Sequence, residues 1–303
     1  MRKIKELLCF SLVLTLLLSM LSGCAAANAK NKTVIVGGKS YTEAQLTSEI
    51  IAQLLEKKTD LKVERKYDMA SAICFESICR GDIHIYPEYT GGMLLAYLQE
   101  DVEPGTDPQT IYDRAKAGFK EKFDLVVLES MGFNNTYANA VSREFAEANN
   151  IKTNSDLAPY TPQLTYGAEH SFFDRKDGYE NMCATYGFQF AKEVKMNVAL
   201  KYQSMEEGLM DVMNVYTTDG LLSQLDVVVL EDDKNFFPAY YCCPVVRQDI
   251  LDKYPEIETA LACLKDCVTE QDMIRYNSMI DSGKMTIPVA AEEFIKEFGL
   301  LDK

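Results

Sequence analysis

The stretch Gly37-Gly38-Lys39-Ser40 stands between a β-rich run and a helical one, where phosphate-binding loops stand. A P-loop requires a glycine five residues before Gly38, and position 33 is threonine, so nucleotide binding by that motif is rejected. What remains is a lysine at a helix start, where free N–H groups and the helix dipole favour an anion. The acid–base inventory is thin. Only His84 and His170 occur, and His84 alternates with Ile83 and Ile85 as a structural strand residue would. There is no G-x-S-x-G elbow and no H-E-x-x-H pair. Asp82, Glu88 and Glu169 stand isolated, without a partner at a recognisable catalytic spacing. Nothing in this set argues for an enzyme.

Seven cysteines follow residue 24: Cys74, Cys79, Cys183, Cys242, Cys243, Cys263 and Cys267. An odd number cannot all pair within one chain. Cys263 and Cys267 lie four apart on a helical segment and share a face, so zinc held together with Cys74 and Cys79 is conceivable. The spacings fit paired C-x-x-C knuckles poorly, however. The expectation is small buried thiols, with no metal and no cofactor.

Aromatic usage is more informative: the chain has 17 tyrosines and no tryptophan. Several tyrosines fall at or just past the ends of strand-like runs, in Tyr86-Pro87-Glu88-Tyr89-Thr90-Gly91, Asn134-Asn135-Thr136-Tyr137, Val215-Tyr216-Thr217-Thr218-Asp219-Gly220 and Phe236-Phe237-Pro238-Ala239-Tyr240. In open α/β sheets the carboxyl ends of the strands face the ligand crevice. Packing explains any one such tyrosine; four in this context point to a binding site.

The elements that would carry these residues alternate. Positions 33–36 read as a strand, and a helix begins near Ser40. Ser40-x-x-Glu43 predicts a capping box there, and Leu46, Ile50 and Leu54 form an apolar stripe with Ile51 and Leu55 beside it. A strand at 61–65, a helix at 69–79 and a strand at 83–86 complete a βαβαβ opening, which predicts an α/β class with parallel strands. A helix at 108–122 leads into a strand at 125–128, and further strands are expected at 137–142, 164–167, 212–216 and 227–230. Residues 248–298 have helical periodicity, broken at Tyr254-Pro255 and Ile287-Pro288.

The N-terminus sets the compartment. Arg2, Lys3 and Lys5 precede a 14-residue, almost wholly apolar run from position 7 to 20. That is a secretory signal, shorter than the roughly 18 residues a spanning helix needs. Its end, Leu21-Ser22-Gly23-Cys24, resembles the lipobox of bacterial lipoproteins, in which Cys24 becomes the acylated first residue. The whole chain has a formal charge of −15, and losing Arg2, Lys3, Lys5 and Glu6 with the signal takes it to −17. Such a surface lacks the basic track nucleic acid requires.

From about Lys32 to the C-terminus the chain resembles the glycine betaine/choline/carnitine substrate-binding proteins of osmoprotectant ABC transporters. The matching stretches are Gly38-Lys39-Ser40-Tyr41-Thr42-Glu43, Tyr89-Thr90-Gly91, Phe133-Asn134-Asn135-Thr136-Tyr137-Ala138, Asp177-Gly178-Tyr179, Thr185-Tyr186-Gly187, Tyr216-Thr217-Thr218-Asp219-Gly220 and Asp232-Asp233-Lys234-Asn235-Phe236-Phe237-Pro238. The resemblance implies an α/β, two-lobed type II periplasmic-binding-protein fold with two crossing segments and a central ligand cleft. Lobe one would take 32–133 and 242–303 and lobe two 134–241, after a signal peptide at 1–23 and a tether at 24–31. It implies a cage for a trimethylammonium head at Tyr89, Tyr137, Tyr216 and Tyr240, with Lys39 and Arg175 holding a ligand carboxylate and Phe172 lining the pocket. A quaternary nitrogen has no N–H to donate, so π faces, carbonyl dipoles and shape must hold it. Asn135 is a further candidate, through its backbone carbonyl. Gly92 stands where many relatives carry a polar side chain, which predicts a roomier pocket and makes a longer ligand such as carnitine plausible. The implied function is extracytoplasmic capture of glycine betaine, carnitine, proline betaine or choline for an ABC permease and its ATPase, from a Cys24 lipid anchor. A ligand-sensing domain with the same pocket and a choline-specific carrier are the alternatives.

Overall fold

The computed structural model describes residues 32–303. The signal at 1–23, the tether at 24–31 and Cys24 lie outside the described residues. In chain order the strands are β1 (Thr33–Lys39), β2 (Lys62–Met69), β3 (Ile85–Tyr89), β4 (Leu125–Val127), β5 (Tyr137–Ser142), β6 (Thr165–Glu169), β7 (Lys192–Met196), β8 (Val212–Tyr216), β9 (Val227–Val229) and β10 (Cys242–Arg247). They form two five-stranded sheets, ordered β2-β1-β3-β10-β4 and β7-β6-β8-β5-β9. In the first, β1 runs parallel to β2 and β3, while β10 is antiparallel to β3 and β4. The second repeats the scheme: β6 is parallel to β7 and β8, and β5 is antiparallel to β8 and β9. The result is the two-lobed α/β architecture that the resemblance implies.

Helix α1 (Thr42–Lys58) shows how the pattern becomes packing. Leu46, Ile50, Ile51, Leu54 and Leu55 are fully buried, as the stripe requires. Its start departs from expectation. The helix begins at Thr42, its N-cap is Tyr41, and no side chain caps it; the Ser40 N–H donates to the Met69 carbonyl instead. Glu43 therefore sits one place too early to close a capping box, and Tyr89, Asn135 and Asn277 claim its carboxylate.

The C-terminal tail divides into Gln248–Lys253, Glu256–Leu261, Glu270–Asp281 and Ile287–Glu297. Pro288 lies in the first turn of the last helix, where its missing N–H is harmless. Two strands escape the sequence reading. Edge strand β7 is polar and largely exposed, with no clean alternation. Strand β10 carries Pro244, which demotes a run as a central strand; here Pro244 faces Pro87 across the β3–β10 pair, so both missing donors fall on one rung of the ladder.

Residues 128–136 and 230–241 carry the chain between the sheets, and they are joined to each other. Asn134 and Tyr241 form an antiparallel bridge. The Asn135 N–H donates to the Tyr240 carbonyl at 3.0 Å, and the Thr136 hydroxyl to the Pro238 carbonyl at 2.8 Å.

Candidate functional site

Tyr137 opens β5 and lies opposite Tyr216, the last residue of β8. Side chains directly opposite on antiparallel strands meet, and these ring centroids are 5.0 Å apart. Phe172, just past β6, comes within 5.1 Å of Tyr137. The second crossing segment adds Phe237 and Tyr240, each 6.0 Å from Tyr137, with Tyr240 nearly perpendicular to it. Tyr137, Phe172 and Tyr240 are buried and Tyr216 nearly so. Burial holds the phenols above their ordinary value, Tyr137 at about 12 and Tyr216 and Tyr240 also raised, so the rings are neutral.

Tyr89 stands slightly apart. It ends β3 in the first sheet, its ring is 6.5 Å from that of Tyr41, and its hydroxyl donates to Glu43 Oε1 at 2.6 Å. The loop after β3 nevertheless touches the cluster. A Cβ on Gly91 would lie 2.7–2.9 Å from three atoms of the Tyr240 ring, so only glycine lets that ring pack there. A Cβ on Gly92 would sit 3.6 Å from Glu88 Oε1 and 3.8 Å from Tyr240 Cε1, which is ordinary contact. Gly92 thus leaves space between the Glu88 carboxylate and the Tyr240 ring.

Three cations lie over aromatic faces here, and each is matched by a carboxylate. Lys39 Nζ is 5.3 Å from the Tyr89 centroid and 6.0 Å from that of Tyr86, and it pairs with Glu88. The Arg175 guanidinium is 5.4 Å from the Tyr137 centroid, donates to Asp177 through Nε at 2.7 Å and Nη2 at 2.8 Å, and donates to the Tyr240 hydroxyl at 2.5 Å. Tyr240 in turn donates to Asp177. Lys201 is fully buried, 5.5 Å from the centroids of Tyr202 and Tyr216, and 3.1 Å from Glu169 Oε2, while the Tyr216 hydroxyl donates to Glu169 Oε1 at 3.1 Å. The surroundings of Tyr137 and Tyr216 already hold positive charge.

A cavity of about 440 Å³ adjoins the cluster, lined among others by Asp101, Glu103, Lys176, Asp177 and Phe236. Lys176 Nζ reaches Asp101 at 2.5 Å across its rim. Tyr137, Tyr216 and Tyr240 do not line it, because they pack on one another.

The structure thus gathers Tyr137, Tyr216, Tyr240, Phe172 and Arg175 tightly, with Lys39 and Tyr89 on the facing lobe. Asn135 contributes its side chain, which donates to Glu43 at 2.8 Å. Glu88 and Glu169, isolated in sequence, are cation partners; both lie at strand ends, the positional signal that marks the tyrosines. Lys201, inside a helix, carries no such signal. Cys74, Cys242, Cys243 and Cys263 are buried free thiols, and burial raises Cys74 to about 12. Among the described residues no group of three His, Cys, Asp or Glu could hold a metal ion.

A family model described as the substrate-binding domain of ABC-type glycine betaine transport systems matches residues 32–297. The carnitine transport binding protein OpuCC of Listeria monocytogenes is 33% identical over 302 residues, covering 97% of each chain. The ergothioneine transport permease/ergothioneine binding protein EgtU of Helicobacter pylori is 32% identical over 273 residues, 89% of this chain, and the chain spans 48% of that relative's length. A crystal structure titled as a glycine betaine/carnitine/choline ABC transporter superposes with a TM-score of 0.78 at 32% identity, covering 88% of this chain and 99% of that one. With a family match over nearly all of the described residues, the chain belongs to the substrate-binding domains of ABC-type glycine betaine transport systems, solute-binding transport components and not enzymes.

Proposed function

We propose that this protein captures a small quaternary-ammonium solute, such as glycine betaine, carnitine, proline betaine or choline, between its lobes and delivers it to an ABC permease with its ATPase. The observation that carries this reading is the convergence of Tyr137, Tyr216, Tyr240 and Phe172 where the crossing segments meet the second sheet. Neutral rings in a desolvated cluster present their negative faces to a cation that cannot donate a hydrogen bond. The rings part to admit the trimethylammonium group, and Tyr89 closes on it from the first lobe. The 440 Å³ cavity beside Asp177 is then the approach. A ligand carboxylate would share Lys39 with Glu88 and Arg175 with Asp177. Contacts to both lobes favour the closed arrangement over the open one. The space beside Gly92 suits a solute longer than glycine betaine, such as carnitine. Acylation at Cys24 would hold the carrier at the outer face of the membrane.

Titration calorimetry of the purified protein with glycine betaine, carnitine and choline tests the reading. Binding of at least one is expected, weakened about tenfold or more by Tyr216→Ala, since a desolvated cation–π contact contributes on the order of 1–2 kcal/mol. Indifference to all three removes the reading. Lys39→Ala should harm glycine betaine more than choline, and equal losses would remove the carboxylate role.

A further inference from the structure

Glu43 is 3% exposed, yet among the described residues no lysine, arginine or histidine pairs with it. Its hydrogen bonds come from neutral donors: the Tyr89 hydroxyl at 2.6 Å and Asn135 Nδ2 at 2.8 Å to Oε1, and Asn277 Nδ2 at 2.9 Å to Oε2. Glu88, Asp177 and Glu169, by contrast, each hold a cation. The groups around Glu43 come from both lobes. Tyr89 ends β3, Asn277 belongs to the helix Glu270–Asp281, Asn135 lies in a crossing segment, and Thr218 follows β8 of the second sheet and accepts from Asn277 Nδ2 at 2.9 Å. Glu43 is therefore buried in the seam between the lobes.

Three buried polar oxygens in this seam have no hydrogen-bond partner: Asn135 Oδ1, Asn277 Oδ1 and Thr218 Oγ1. Unmatched acceptors beside an uncompensated carboxylate mark a place short of a proton. A carboxyl O–H there would donate to one of them and remove the buried charge. The other titratable neighbours do not compensate it. Burial keeps the phenols of Tyr41 and Tyr89 and the thiol of Cys242 in their neutral forms. Lys39 is committed to Glu88, and Asp281, on the same helix as Asn277, accepts from the Thr42 hydroxyl at 2.5 Å.

We propose that Glu43 is a protonated positioning residue that ties Tyr89 to the second lobe, and that closure of the lobes on a solute takes up one proton at this carboxyl. This rests on the solute-capture reading above. Burial raises the Glu43 carboxyl above its ordinary range, although Thr218, Tyr89, Asn277 and Asn135 pull it down. Parting the lobes returns it to water and to that range. Between the open and the closed value, closure consumes a proton, so affinity rises as pH falls, by at most about tenfold per pH unit for one group. Above the closed value and below the open one the dependence vanishes.

The test counts protons. Calorimetric titrations with glycine betaine, carnitine and choline, run in buffers of different ionisation enthalpy between about pH 5 and pH 7, should show uptake approaching one proton per bound solute. Glu43→Gln should bind with no uptake. Buffer-independent heats in the wild type, or uptake that persists in Glu43→Gln, overturn the proposal while leaving solute capture standing. If none of the solutes binds, solute capture fails, and infrared spectroscopy still judges the carboxyl. A protonated-carboxyl C=O band at about pH 6 that is missing from Glu43→Gln supports the proposal, and its absence overturns it. Should that variant not fold, an infrared pH titration of the wild type reads whether a carboxyl stays protonated above the ordinary range, and no such band overturns the proposal.

Discussion

Replacing Tyr137 by leucine tests the aromatic site at its centre. The ring has four aromatic neighbours within 6.0 Å and faces the Arg175 guanidinium at 5.4 Å. Leucine keeps an apolar body there but removes the quadrupole. A desolvated face over a quaternary cation contributes on the order of 1–2 kcal/mol, which corresponds to a rise in Kd of about five- to thirtyfold. Loss of the ring also frees Tyr216 and Tyr240 to shift, which places the expectation toward the upper figure. Tyr137→Phe retains the face and should stay within about threefold of wild type. Shape and charge separate when choline is compared with its neutral isostere 3,3-dimethylbutanol by calorimetry. Wild type should prefer the cation clearly, and Tyr137→Leu should lose most of that preference. A thermal melt of each variant establishes that the fold survives. Equal affinity for the two compounds in the wild type, or unchanged choline binding in a folded leucine variant, would refute the cation–π argument.

The glycines after β3 make a paired test. Gly91→Ala drives a methyl group into the Tyr240 ring and should lower both melting temperature and affinity, whereas Gly92→Ala meets only ordinary contacts and should leave the melting temperature near wild type; equal effects would show that the Tyr240 ring is placed otherwise. Lys201→Met leaves Glu169 buried without its cation and should destabilise the protein by about 3–5 kcal/mol in denaturant unfolding, with much of the loss recovered in Lys201→Met/Glu169→Gln. A double variant no more stable than the single one would mean that the pair is not the source.

The sequence carries the fold further than it carries the electrostatics. Periodicity marks α1 because Leu46, Ile50 and Leu54 recur on one face, and the tyrosines stand out because they end strands. Strand β10 stays hidden because Pro244 argues against it locally, and only its partner Pro87, 157 positions earlier, makes the placement coherent. The ion pairs are hidden for a related reason. Lys39 meets Glu88, and Lys201 meets Glu169, through sheet topology that no local spacing encodes. Glu43 shows the opposite failure: its local context reads as a helix-capping residue, and long-range partners outcompete that role.

The hydrogen-bonded pair of crossing segments has a mechanical consequence. A two-stranded ribbon yields readily to bending across its face but resists sliding of one strand along the other, because sliding would break the Asn134–Tyr241 bridge and the Asn135–Tyr240 bond together. Lobe movement is thereby restricted to something like a jaw on a single pin. Since Tyr240 lies in the pin itself, each swing returns the same rings to the same opposing surface, and fidelity from one cycle to the next comes from the joint.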